Sequence, residues 1–177
     1  MTIPLPTIGT IVGYDEVLWW YCRFDSALER TDAGKCKSFG PFAGLRALRE
    51  EVLKEKIPLP IGYRWSYANL TRTIAANSCL WWAPQMKIEG GIQFIENIDH
   101  PDAHAKVQKI KDFVEMPDCG VSEDYLDLIL VRRPWGQTGL ANTYIILEGT
   151  HRLCALWQKF SSKGAWPQVA CFLGEPQ

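Results

Sequence analysis

Residues 145–157, Ile-Ile-Leu-Glu-Gly-Thr-His-Arg-Leu-Cys-Ala-Leu-Trp, pass from a run of aliphatic side chains straight into a helical pattern. Thr143 to Leu147 reads as a buried strand, and Leu153, Leu156, Trp157 and Phe160 share one face of the helix that follows. Gly149 sits at the join, where a tight turn needs a residue without a Cβ. The first amides of such a helix have no internal partners and carry the positive end of its dipole. Thr150, His151 and Arg152 therefore bring amides, a hydroxyl, an imidazole and a guanidinium to one point, a pattern suited to a phosphate. Glu148 stands across that point, placed to hold Mg²⁺ or to take a proton from an attacking hydroxyl. A plainer reading is a structural turn with Thr150 as N-cap and Arg152 as a solvated first-turn residue.

Working outward, Gly164 breaks the helix and Val169 to Leu173 forms a last strand. Upstream, His100-Pro101-Asp102 opens a helix, with Ala103, Val107, Ile110 and Val114 as its buried stripe and Pro117 as its end. Leu126 to Arg132 is an apolar strand stopped by Pro134, and Trp135 to Asn142 is a loop. The order is helix, strand, strand, helix, strand. In the first half, Val17, Tyr21, Phe24 and Leu28 predict a helix over 14–30, and Pro41 opens a second one bearing Leu45, Leu48 and Val52. The segment 57–61 is extended around its prolines, and a short helix is expected over Ser66 to Ala76. Met86 to Ile95 reads as two short strands around Gly90-Gly91.

Glu148-Gly149-Thr150-His151-Arg152, with Ala155 three residues on, resembles the [Asp/Glu]-Gly-x-[His/Arg]-Arg-x-x-Ala signature of ParB/sulfiredoxin-like domains. The resemblance covers about residues 86–173. It implies a single α+β domain with a small mixed sheet, residues 86–177 forming the core and residues 1–85 a helical, Trp-rich elaboration. ParB-type partition proteins bind CTP at this turn, and a free serine kinase of the superfamily uses ATP or ADP there. Sulfiredoxins carry a catalytic cysteine immediately before the motif histidine. Here that position is Thr150, and Cys154 lies three residues beyond His151, so sulfinic-acid reduction is not expected. No evident helix-turn-helix follows the motif, which argues against DNA partitioning.

The branch that survives is nucleotide-phosphate chemistry by a kinase-like phosphotransferase or a nucleotide hydrolase. The resemblance then assigns ATP or a related nucleotide to Gly149, Thr150, His151 and Arg152, and Mg²⁺ to Glu148, with Glu148 and His151 as catalytic groups. The acceptor, a small molecule or a protein, is expected toward the N-terminal half. The alternatives are a non-catalytic binding protein of the same fold and a DNA-associated ParB-like module. Oligomeric state stays open.

Composition narrows these classes. The 177 residues are 47% apolar and 22% charged, which fits a packed globular domain rather than a disordered chain. With 19 basic against 20 acidic side chains, no basic excess exists to draw a nucleic-acid backbone. No secretory signal or membrane-length apolar run is visible, so a cytoplasmic protein with no membrane partner is expected. Six scattered cysteines with no Cys-x-x-Cys pair read as reduced core thiols. His100 and His104, with Asp99, have helical spacing for a metal, although N-terminal capping is the favoured role at an irregular helix start. Arg132-Arg133 is either a charged strand end or an arm reaching a phosphate from the neighbouring strand. Eight tryptophans are the compositional oddity. Trp157 belongs to the core face of its helix, Trp19 and Trp20 cannot both face inward, and Trp81-Trp82 and Trp135 are candidates to wall a ligand or an interface.

Overall fold

The structure is a computed structural model that describes residues 6–24, 59–60, 62–80, 83–121, 128–133 and 143–177. The expected helix opening at Pro41, Trp81-Trp82 and Trp135 lie outside the described residues. In chain order the elements are β1 (Ile11–Val12), α1 (Tyr14–Phe24), β2 (Tyr63–Asn69), α2 (Arg72–Ala76), β3 (Ser78–Leu80) and β4 (Ala83–Lys87). They continue with α3 (Ile88–Glu96), α4 (Pro101–Glu115), β5 (Ile129–Arg132), β6 (Tyr144–Glu148), α5 (Thr150–Phe160) and β7 (Ala170–Pro176). Seven strands form one mixed sheet in the order β1-β2-β7-β5-β6-β3-β4. The β7/β5 and β6/β3 pairs are parallel and the others antiparallel. The fold is α+β.

Strand alternation sorts the sheet into two packed faces. Leu130, Ile146, Cys171 and Leu173 point to one side, where α2, α3, α4 and α5 close over them. Ile129, Val131, Leu147 and Phe172 point to the other, against Val17, Leu18, Trp20 and Tyr21 of α1. The elements expected around the turn are present: α4 starts at Pro101, β5 and β6 pair antiparallel, and α5 and β7 follow.

Two expectations are overturned. Met86 to Ile95 is not a pair of strands, because only β4 ends there and Ile88 to Glu96 is helical. Ile88, Ile92 and Ile95 form the buried face of that helix, and Gly91 serves packing rather than a turn, since a Cβ there would lie 2.5 Å from the Leu80 side chain. Ser66 does not start a helix but lies inside β2, where Trp65 and Tyr67 alternate inward. The helix begins only at Arg72, after Thr71 caps it by accepting the Ile74 N–H at 3.2 Å. β2 pairs with β7 along its whole length, and β1, β2 and β3 lie wholly within residues 1–85 while β4 begins there.

Candidate functional site

β6 delivers Glu148 to the turn, and Gly149 follows with φ 78° and ψ 20°, a left-handed conformation that favours glycine. Its carbonyl accepts the Leu153 N–H at 2.9 Å, which makes Gly149 the N-cap and Thr150 the first helical residue. Thr150 is therefore not the cap expected on the plainer reading, and its side chain is buried. Half-buried Glu148 accepts the Gly149 N–H on Oε1 at 3.0 Å, so its carboxylate sits against the positive end of α5.

His151 is half-buried beside α4. Burial, followed by the nearby charges of Lys109 and Lys106, pushes its imidazole down to about 4. The ring is neutral at pH 7, so it offers hydrogen bonding and proton acceptance but no charge to a phosphate. The cations around it are Arg152 and the two lysines.

Arg152 is not a solvated first-turn residue. It is half-buried, its Nε and Nη1 are shielded from solvent, and its guanidinium lies 5.5 Å from the centroid of the Phe113 ring. The turn after α4 props that ring in place. Gly120 has φ 71°, and a Cβ there would come within 2.6 Å of the Phe113 ring and 3.6 Å of Arg152 Cδ. Asp118 Oδ1 holds the turn by accepting the Gly120 N–H at 2.9 Å. Lys159 of α5 donates to the carbonyls of Val114 and Met116 at 2.8 and 2.5 Å, tying the end of α4 to α5.

The five motif residues are thus together by chain contiguity, and α4 adds Lys106, Lys109 and Phe113, with Gly120 behind them. Sequence reasoning missed those four. The only signal for them was Lys106, Lys109 and Phe113 recurring on one helix face, which reads equally well as a solvated stripe.

Other candidates fall elsewhere. Arg132 pairs in register with Tyr144, four residues before Glu148, so the Arg132-Arg133 pair stands roughly 13 Å along the sheet from the turn and does not reach it. His100 caps α4 by accepting the Asp102 N–H on Nδ1 at 3.2 Å, and His104 Nε2 lies 3.7 Å from Asp99 Oδ1. Among the described residues no group of three or more His, Cys, Asp or Glu side chains could hold a metal. Cys154 faces the core with no exposure, and burial pushes its thiol far above the ordinary value. No described helix is long and apolar enough to cross a membrane.

Comparisons with protein-family models, curated proteins and solved structures found no match.

Proposed function

We propose that the turn from Glu148 to Arg152 binds the phosphates of ATP or a related nucleotide in a ParB/sulfiredoxin-like fold, and that the protein transfers or hydrolyses a phosphoryl group. The observation that carries this reading is the left-handed Gly149 opening α5 with Arg152 braced on Phe113 beside it. Lys106 and Lys109 add positive potential without a histidine charge. In this reading Gly149, Thr150 and Arg152 hold phosphate oxygens, and neutral His151 donates to one or accepts a proton.

Glu148 is the carboxylate of the turn, which suits Mg²⁺ arriving on nucleotide phosphates with most of its waters better than a resident protein-caged ion. Mg²⁺ would then supply charge neutralisation on the phosphates. The same hydrogen bond to Gly149 favours a second reading, a non-catalytic phosphate binder in which Glu148 merely occupies the turn until an anion displaces it.

Calorimetric titration with ATP, ADP and CTP, with and without Mg²⁺, tests the proposal. Binding should weaken about tenfold or more in Arg152→Ala, the cost of losing a charged hydrogen-bonding partner. If none of the three nucleotides binds, or Arg152→Ala binds as well as the wild type, the site is not at this turn. Turnover of labelled nucleotide separates the enzyme from the binder, and Glu148→Gln should abolish turnover while sparing affinity only if Glu148 is catalytic.

A further inference from the structure

Arg133 follows β5 at the end of the sheet away from Glu148, and its N–H donates to the Thr143 carbonyl at 3.0 Å. Its Nε and Nη1 are both shielded from solvent and have no hydrogen-bond partner. A guanidinium stays protonated at every pH a folded protein meets, so it cannot shed its charge to suit a dry site. Arg133 as a whole is half-buried, and a charge partly withdrawn from water is favoured by a counter-charge that offsets its lost hydration.

Among the described residues no carboxylate pairs with it. Glu175, at the same end of the sheet, is shared by Arg132 and Arg64, each 3.5 Å away. Arg133 is next to Arg132 and so alternates away from that carboxylate. Register places Lys87 beside Cys79 on the adjoining strands, adding a second positive charge. The Cys79 thiol is fully buried and pushed up by that burial, so it is neutral. The segment 134–142, which follows directly, contains no Asp or Glu.

We propose that Arg133 anchors a second anion site, distinct from the α5 turn, which takes a small divalent oxyanion of the phosphate or sulfate class with Lys87 as its second cation. The match is one of charge: two cations with no carboxylate paired to them among the described residues call for two negative charges, and buried polar atoms of a native protein are as a rule hydrogen-bonded. This inference is independent of the nucleotide reading.

Calorimetry of the full chain with inorganic phosphate and with sulfate, at constant ionic strength, tests it on an Arg152→Ala background that silences the turn. We expect phosphate binding to persist there, to weaken about tenfold or more when Arg133→Met is added, and to be partly kept by Arg133→Lys. Absence of binding in Arg152→Ala, or binding indifferent to Arg133→Met, overturns the site. Should Arg152→Ala fail to fold by circular dichroism, the readout becomes the phosphate-dependent rise in Tm of the otherwise unmodified chain. That rise must shrink in Arg133→Met, and an unchanged rise, or a variant stabilised equally with and without phosphate, also overturns it. Loss of nucleotide binding at the turn alone would leave this result standing.

Discussion

The two faces of the sheet are packed by different chemistry. Beneath α2 to α5 the described buried set, with Leu130, Ile146, Leu153, Cys154 and Leu156, is aliphatic and thiol, and the rings packed against it, such as Phe113, Trp157 and Trp166, are only partly buried. Beneath α1, by contrast, Trp20, Tyr21, Trp65, Tyr67 and Phe172 are all buried, and Phe172 lies 5.1 Å from Tyr67 and 6.1 Å from Trp20 between ring centroids. Small and branched side chains let α5 lie close to the sheet, which fixes the start of the helix where the candidate site is. Large rings fill the space beneath α1 among the described residues. The described buried tryptophans of the first half therefore support the sheet from the face opposite the turn. They are core, and the chemistry proposed at Glu148 to Arg152 does not draw on them.

The sharpest way to break this contrast is Trp65→Ala. Trp65 is 1% exposed, and truncation of a buried tryptophan costs about 3–5 kcal/mol. Urea unfolding should show that loss, while nucleotide affinity measured well below the new midpoint stays unchanged. A drop in affinity of the folded variant would tie the aromatic face to the turn.

Gly174→Ala probes the same face from the strand beneath. Gly174 is the register partner of Trp65, and a Cβ there would stand 2.8 Å from the indole ring. The ring cannot retreat through a filled core, so a loss of about 1–3 kcal/mol is expected. Combined with Trp65→Leu, the cost of the added methyl should largely vanish, because the two positions are in contact and their effects couple. Additive losses in that cycle would show that Gly174 is needed for a reason other than the ring.

On the aliphatic face, Cys154→Ser should cost about 1–2 kcal/mol by burying a hydroxyl among apolar neighbours. Native Cys154 and Cys171 should also resist alkylation until the protein unfolds globally, since burial pushes the Cys171 thiol up to about 12 and that of Cys154 further. Rapid labelling of either at neutral pH would show that this face opens locally.

The same contrast explains what could be read from the chain. The elements near the turn were legible because their signals are local: Pro101 and the His100 cap start α4, and Gly149 separates β6 from α5. Ile88 to Glu96 was misread because Gly90-Gly91 imitates a turn, and only the approach of Leu80 from β3 reveals why a helix keeps a glycine there. β2 was misread from Ser66 onward because its alternation becomes clear only when β7 pairs with it. In the site, contiguous Glu148 to Arg152 could be named in advance. Phe113 and Gly120 could not, since nothing local marks a ring that will meet Arg152 across two packed helices.

The smallest expected effect lies on the helical face and concerns protons. A free histidine titrates near 6.5, whereas folding lowers His151 to about 4, through burial first and Lys109 and Lys106 next. The unfolded chain therefore binds the proton more readily, so the native state loses stability as pH falls from about 6.5 to about 4 and no further below that. Because the ring is partly exposed, solvent screening reduces the loss to about 1–2 kcal/mol. His151→Gln should flatten the stability profile across that window and leave the profile above pH 7 as it was. An anion bound at the turn favours the protonated ring, so nucleotide should raise the His151 value and bind more tightly toward pH 5 in the wild type than in His151→Gln. NMR titration of the imidazole reads both effects at once. A value near 6.5 without ligand would mean that the ring is solvated, and a value unmoved by nucleotide would place the phosphates away from α5.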